Sequence, residues 1–148
     1  MIPKFLKQPV KITTKYPELV PFRANPSDAG ADLRSVRDHE IYPGEICMVD
    51  TGVAIAIPYG YVGLIYNRSS QGKIRVSLPN SVGVIDSSYR GNLKVLLVNN
   101  GEDVYKIKER DTRIAQLVIT PIVLADFVVV DSLDETTRGT GGFGSTGV

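Results

Sequence analysis

The chain has 148 residues, 17 basic and 16 acidic side chains, and a net charge of +1. This length predicts one domain, and the near-neutral charge argues against a polynucleotide partner, because binding to a phosphate backbone needs a basic excess. A single cysteine and a single histidine exclude an internal disulfide and a structural zinc site. No apolar run is long enough to cross a membrane, and the N-terminus lacks the apolar region of a signal peptide, so we expect a cytoplasmic protein.

Short β-strands separated by turns are predicted for most of the chain. Runs rich in β-branched and aromatic residues, each bounded by Pro, Gly, Asn or Asp, indicate the strands, and pairs such as Pro43-Gly44 indicate the turns. No window shows a sustained helical period. The pattern predicts an all-β sandwich or barrel with at most one short helix. The predicted strands are Val49 to Ile57, Tyr61 to Tyr66, Lys94 to Asn99, Ile114 to Thr120 and Phe127 to Val130.

The C-terminal segment RGTGGFGSTGV differs in composition from the rest of the chain. Five of its residues are glycine, which is typical of a flexible arm. The other nine glycines occur singly near the edges of apolar runs and are expected to lie in turns of the fold. We therefore divide the sequence into a single β domain over residues 1–137 and an arm over residues 138–148.

Five stretches contain more Asp, Arg, Ser, Asn and Gly than strand-edge turns require. In chain order they read DAGADLRS, NRSSQG, NSVGVIDSSYRG, DTRIAQ and RGTGGFGSTG. In this order they resemble the five motifs of the homotrimeric dUTPase (dUTP diphosphatase) family. The resemblance implies a jelly-roll-like β subunit, a homotrimer with active sites at subunit interfaces, and magnesium-dependent hydrolysis of dUTP to dUMP and pyrophosphate. That reaction keeps uracil out of DNA and supplies dUMP for dTMP synthesis.

The resemblance assigns roles to two carboxylates. Attack on an α-phosphate needs a water held in line and a base to take its proton, and Asp86 in GVIDSSYRG is the candidate base. Without the motif, the same residue would be interpreted as an ordinary turn aspartate. Asp32 is expected to hold magnesium only indirectly, through water, because Mg²⁺ keeps several waters and prefers phosphate oxygens.

Phosphate contacts are expected from the Ser/Gly-rich motifs. Hydroxyl and main-chain N–H groups bind phosphate oxygens, and a guanidinium adds a forked, permanent charge. Lys94 matches a position that touches substrate in many relatives, although on a strand it could equally be a solvated edge lysine. The predicted phosphate contacts are Arg68, Ser69, Ser70 and Gln116, with Arg138, Ser145 and Thr146 from the arm, and Gly144 of the arm is also expected to contact the substrate.

Specificity for uracil is expected from the hairpin over residues 80–89. A site built to pair with uracil would reject cytosine, because the exchanged donor and acceptor leave buried groups unpaired. Tyr89 would lie under the deoxyribose, although a lone tyrosine here is more commonly a core residue. Phe143 would stack on uracil when the arm closes as a lid. The residues expected to contact the base are Asn80, Gly83, Val84 and Ile85.

Two motifs depart from the family pattern. The second usually opens with proline, where this chain has Asn67, and the fourth usually reads Gly-Asp-Arg, where this chain has Asp111-Thr112-Arg113. These changes concern local loop geometry. Two other functions stay open at this stage: a dCTP deaminase-like enzyme of the same fold, and a regulatory protein that binds its partner through a nucleotide-ordered arm.

Overall fold

The computed structural model describes residues 7–143, and over that range it is almost entirely β-structure. It has one short α-helix, α1 (Ser69–Lys73), and a 3-10 turn at Pro17–Leu19. The predicted all-β class with at most one short helix is therefore confirmed. The strands are β1 (Lys11–Thr14), β2 (Ala31–Arg34), β3 (His39–Ile41), β4 (Ile46–Ala56), β5 (Tyr61–Tyr66), β6 (Val76–Ser77), β7 (Gly83–Ile85), β8 (Asn92–Asn99), β9 (Tyr105–Ile107) and β10 (Arg113–Pro121).

Two four-stranded antiparallel sheets form a jelly-roll-like sandwich. The first has the strand order β1-β4-β8-β6 and the second the order β2-β10-β5-β7, while β3 and β9 form a separate pair. Neighbouring strands are far apart in the sequence: β10 lies between β2 and β5. This topology brings together motifs that the chain separates by tens of residues.

The core follows from the alternation of apolar residues along the long strands. On β4 the residues Val49, Val53 and Ile55 are buried, and on β8 the residues Leu93 and Leu97 are buried. Each fully buried aliphatic side chain contributes about 1.5–3 kcal/mol. Successive residues of a strand point to opposite faces of the sheet. The apolar residues on one face therefore fill the core, and the residues on the other face lie toward the surface.

Most strand predictions hold, with shifted ends. Tyr61–Tyr66 is β5 as predicted, whereas β4, β8 and β10 begin up to three residues earlier than expected. The predicted strand at Phe127 to Val130 is wrong for the described chain, where no strand follows β10. Phe127 and Val129 are 92% and 98% exposed, so this run has strand composition but no strand edge to pair with.

No helix within residues 7–143 has the length and apolar character needed to cross a membrane.

Candidate active site

Three of the five motifs meet where β2, β5 and β10 lie side by side. Gln116 on β10 is opposite Asp32 of β2 on one side and opposite Tyr66 of β5 on the other. Since Tyr66 is the last residue of β5, the second motif begins directly beside them. Antiparallel pairing thus places residues of the first, second and fourth motifs next to one another.

Asp32 is held by two arginines. Nε of Arg68 lies 2.8 Å from Oδ1 of Asp32, and Nη1 of Arg113 lies 3.1 Å from Oδ2. The Asp32 side chain is only 14% exposed, so the two pairs are less screened by solvent than ordinary surface ion pairs. Each carboxylate oxygen keeps a further lone pair, which leaves Asp32 able to accept a hydrogen bond from a metal-bound water.

The second motif forms a turn that leads into α1. Arg68 is the N-cap residue in an extended conformation, and its Nη1 lies 3.2 Å from Oγ of Ser70. Ser69 and Ser70 are exposed, so their hydroxyls are accessible to phosphate oxygens. The sequence did not identify α1 in advance, because five residues show too little of a helical period.

Gln116 and Asn67 connect this motif to the sheets. Nε2 of Gln116 donates a hydrogen bond to the main-chain carbonyl of Asn67 at 2.8 Å, and Nδ2 of Asn67 donates to the carbonyl of Val76 at 3.0 Å. Gly30 makes room for this arrangement, because a Cβ at that position would collide with Oε1 of Gln116. Part of the Gln116 amide is thus used inside the protein, and its predicted phosphate contact depends on the remaining hydrogen and oxygen.

The third motif forms the hairpin beside β5. Residues Gly83 and Val84 of β7 pair with Ile65 and Leu64, and β7 is the outermost strand of its sheet. An edge strand leaves main-chain N–H and C=O groups unpaired on its outer side, which is what recognition of a base edge by main-chain groups requires. Val84 and Asn80 are exposed on this hairpin.

Asp86 and Tyr89 occupy the turn after β7. The Asp86 side chain is exposed, and its carboxylate forms no ion pair or hydrogen bond with other residues in the 7–143 range. Tyr89 is 41% exposed and its hydroxyl donates to the carbonyl of Asn92 at 2.9 Å, so it is not a core tyrosine. A Cβ at Gly91 would come within 2.5 Å of that hydroxyl, which explains the glycine. The ring is therefore at the surface, in the same turn as the candidate base.

Asp86 and the second motif lie at opposite ends of β5. Ile85 pairs with Gly63, so Asp86 is level with the beginning of β5, whereas Arg68 follows its end. At the rise of an extended chain, roughly 20 Å separates the two positions. One triphosphate is far shorter than this distance. The backbone positions of Asp86 and Arg68 in one chain are therefore farther apart than the length of one triphosphate.

A sequence model of the dUTPase family matches residues 18–147. This chain belongs to the dUTPase family. It is 48% identical over 137 residues to a deoxyuridine 5'-triphosphate nucleotidohydrolase of Cutibacterium acnes, covering 92% of this chain and 90% of that one. A Staphylococcus bacteriophage 80alpha dUTPase variant with dUpNHpp superposes with a TM-score of 0.84 at 29% identity, covering 96% of this chain and 100% of that chain. A dUTPase variant from phage phi11 of S. aureus, described with a structural Mg(II) ion, has a TM-score of 0.77 at 27% identity, covering 84% of this chain and 98% of that chain.

Arg113 contacts Asp32 at the candidate site of this dUTPase-family chain, a contact that the motif pattern does not predict. In the sequence it stands out only as part of the departure in the fourth motif. The signal that could have found it is strand register, because Arg113 on β10 pairs with Arg34, two residues from Asp32 on β2. A motif pattern alone does not give that register.

The remaining predicted residues are not brought to this site by the described chain. Lys94 lies on β8 in the first sheet, exposed and opposite Asp50. Arg138 makes a local bond from Nε to the carbonyl of Gly141 at 2.9 Å, and Phe143 is fully exposed. Their substrate contacts stay predictions. Gly144, Ser145 and Thr146 lie outside the described residues.

The one histidine and the one cysteine are neighbours, away from the motifs. Sγ of Cys47 lies 3.5 Å from Nδ1 of His39. Burial, and then the negative charge of Glu45, raise the pKa of the Cys47 thiol. A thiol with a raised pKa is a poor nucleophile and metal ligand at neutral pH. Within residues 7–143, no group of three His, Cys, Asp or Glu side chains is placed to hold a metal ion.

Proposed function

We propose that this chain hydrolyses dUTP to dUMP and pyrophosphate, with Asp86 as the base that orients and deprotonates the attacking water. Membership of the dUTPase family supports the reaction. The observation that carries the proposal is the convergence of Asp32, Arg68 and Gln116, joined by strand pairing from three separate motifs. The relatives are named for dUTP hydrolysis, and so they give no support to the deaminase alternative.

The chemistry follows from the residue types. The water oxygen forms a bond to the α-phosphorus while the bond from that phosphorus to the β-phosphate oxygen breaks, and the water's proton passes to Asp86. Charge builds up on the phosphate oxygens and the leaving pyrophosphate, where Arg68 and the hydroxyls of Ser69 and Ser70 stabilise it. Asp86 suits its role because its exposed carboxylate is available to accept a hydrogen bond.

Magnesium is proposed to arrive with the triphosphate and to be held by Asp32 through water. The described residues fit this arrangement, because they offer one partly exposed carboxylate with free lone pairs rather than a cage of ligands. When bound, Mg²⁺ would neutralise charge on the phosphate oxygens. Arg68 and Arg113 would keep the Asp32 carboxylate oriented toward the ion's water shell.

The base-binding part of the proposal uses the edge strand β7. Main-chain groups of Gly83, Val84 and Ile85 would pair with uracil, and the exposed Asn80 side chain would assist. Tyr89 would support the deoxyribose, because its ring lies at the surface in the turn that carries Asp86.

We infer that the active enzyme is a homotrimer whose sites are shared between subunits. The separation of Asp86 and Arg68 along β5 supports sharing, because a site needs both. The number three comes from the family resemblance. A complete site would then combine the hairpin of one subunit with the second motif of another.

The exposed apolar segment after β10 supports an assembly of subunits. Val123, Phe127, Val129 and Leu133 are almost fully exposed, and such a run of apolar side chains is rarely left in water. The chain also has an apolar groove of about 1070 Å³ lined by residues such as Ile12, Val20, Pro21, Leu117 and Ile119. We propose that the segment packs on a neighbouring subunit.

The arm is proposed to close over bound dUTP as a separate unit beginning at residue 138. Its described part, residues 138–143, is largely exposed and its hydrogen bonds are local. Arg138 would reach the outer phosphates, Phe143 would stack on uracil, Ser145 and Thr146 would contact phosphate, and Gly144 would contact the substrate. A cytoplasmic location is proposed with the function, because dUTP belongs to the nucleotide pool from which DNA is made.

Pyrophosphate release from each deoxynucleoside triphosphate with Mg²⁺ tests the proposed function. We expect release from dUTP alone, because the hairpin is proposed to pair with uracil. Binding of dCTP at the same place would leave buried polar groups unpaired. Equal release from all of the triphosphates would contradict the base-recognition role of residues 80–89. Ammonia release from dCTP would instead establish the deaminase alternative.

A further inference from the structure

Asn67 joins the two sheets at the point where the chain leaves β5. Its main-chain carbonyl accepts a hydrogen bond from Gln116 on β10, which belongs to the same sheet as β5. Its side-chain Nδ2 donates to the carbonyl of Val76 on β6, which belongs to the other sheet. Asn67 is partly buried and Val76 is buried. One residue therefore fixes the start of the second motif against both layers of the sandwich.

The segment that follows Asn67 needs such a connection. α1 is only five residues long, and its N-cap residue, Arg68, makes no side-chain cap hydrogen bond. Helices this short are marginal without tertiary contacts. Within α1, Gln71 is 3% exposed and donates from Nε2 to the hydroxyl of Tyr105 at 3.2 Å. Asn67 and Gln71 thus anchor the segment on each side of Ser69 and Ser70.

We propose that Asn67 is a positioning residue for the triphosphate, acting through the segment that carries Arg68, Ser69 and Ser70. The inference rests on the proposed dUTP hydrolysis. Asn67 needs no contact with the nucleotide, because its Nδ2 is used by Val76. Proline, the usual family residue here, restricts the backbone with its ring, whereas this chain restricts it through a hydrogen bond between sheets.

Two variants test the proposal. Asn67→Ala removes the donor to Val76, and Asn67→Asp keeps the shape but replaces the donor by an acceptor. In both, we expect the affinity for dUpNHpp to fall about tenfold or more, because a buried carbonyl is left unpaired and the segment moves. Affinity for deoxyuridine, which carries no phosphate, should stay unchanged. Titration calorimetry measures the affinity for dUpNHpp, and competition binding measures the affinity for deoxyuridine.

Thr51→Val is a matched control for general loosening of the fold. Thr51 is buried and its Oγ1 donates to the carbonyl of Leu93 at 2.8 Å, a side-chain to main-chain bond within the first sheet. We expect this variant to unfold at a lower temperature while keeping the ratio of dUpNHpp affinity to deoxyuridine affinity. A similar loss of both ligands in the Asn67 variants, or no loss of dUpNHpp affinity, would overturn the proposal.

The wild-type protein separates this inference from the proposed function. If the wild type releases pyrophosphate from dUTP and the folded Asn67 variants bind dUpNHpp normally, only the role of Asn67 is wrong. If the wild type neither hydrolyses dUTP nor binds dUpNHpp, the proposed function itself fails. Should Asn67→Ala not fold, the isosteric Asn67→Asp variant gives the same comparison, with thermal unfolding as the check on its fold.

Discussion

Asp32 holds guanidinium groups from two different parts of the chain on one carboxylate. Arg68 follows β5 and Arg113 begins β10, so their shared partner on β2 links three strands of one sheet. Arg68 and Asp32 are both largely shielded from solvent, which makes their pair the stronger contact. Arg68, the proposed phosphate contact, is thus held in place by Asp32 in the absence of substrate, which would lower the ordering that binding requires.

At the residue scale, Asp86→Asn tests the proposed base. The substitution keeps the size of the side chain and removes its ability to take a proton, so we expect kcat for dUTP to fall at least about 100-fold. Affinity for dUpNHpp should stay within about threefold of wild type, because binding groups are untouched. Pyrophosphate release measures the first effect and titration calorimetry the second.

Asp103→Asn is the control for this variant. Asp103 is an exposed carboxylate between β8 and β9, outside the five motifs, and its loss should leave turnover unchanged. Turnover by Asp86→Asn close to the wild-type rate would exclude Asp86 as the base.

At the element scale, β5 separates Asp86 from Arg68. Asp86 follows β7 at the level of the beginning of β5, whereas the C-terminal end of β5 leads to Arg68. The edge position of β7 leaves main-chain groups free on the hairpin, where uracil is proposed to bind. The same strand order therefore supports both the proposed base recognition and the proposed sharing of a site between subunits.

Removal of residues 138–148 tests the arm as an element. Because residues 138–143 are largely exposed and make local hydrogen bonds, we expect the melting temperature to stay the same. Turnover of dUTP should fall at least roughly tenfold, because closing segments exclude water and complete a catalytic site. Scanning calorimetry and pyrophosphate release check the two effects. Full turnover by the truncated chain would contradict the lid.

The sequence pattern predicts the long strands and the motifs, but it does not predict the features that depend on how strands pair. β5 was predicted because its pattern runs over six residues, but β6 and β7 are too short to show a period. Phe127 to Val130 was predicted as a strand from composition, which does not say whether an edge is available. The contacts of Arg113 and Asn67 were missed for a related reason. They depend on strand register and on the meeting of two sheets.

At the scale of the whole molecule, a net charge of +1 is compatible with a polyanionic substrate. The proposed site needs only a few groups for one triphosphate: Arg68, the hydroxyls of Ser69 and Ser70, and a water-mediated magnesium contact of Asp32. Polynucleotide binding would instead require many basic contacts along a surface. The exposed apolar run after β10 suits the proposed contact with another subunit better than contact with a nucleic acid.

Subunit mixing tests the shared site most directly. Asp86→Asn and Arg68→Gln are each expected to be inactive as homotrimers, the first without its base and the second without a phosphate contact. The two variants are unfolded, mixed in equal amounts and refolded, and pyrophosphate release from dUTP is measured. If the hairpin of one subunit works with the second motif of another, random assembly restores about a quarter of the wild-type sites. If both residues act within one chain, the mixture stays inactive, and the account of a shared site is wrong.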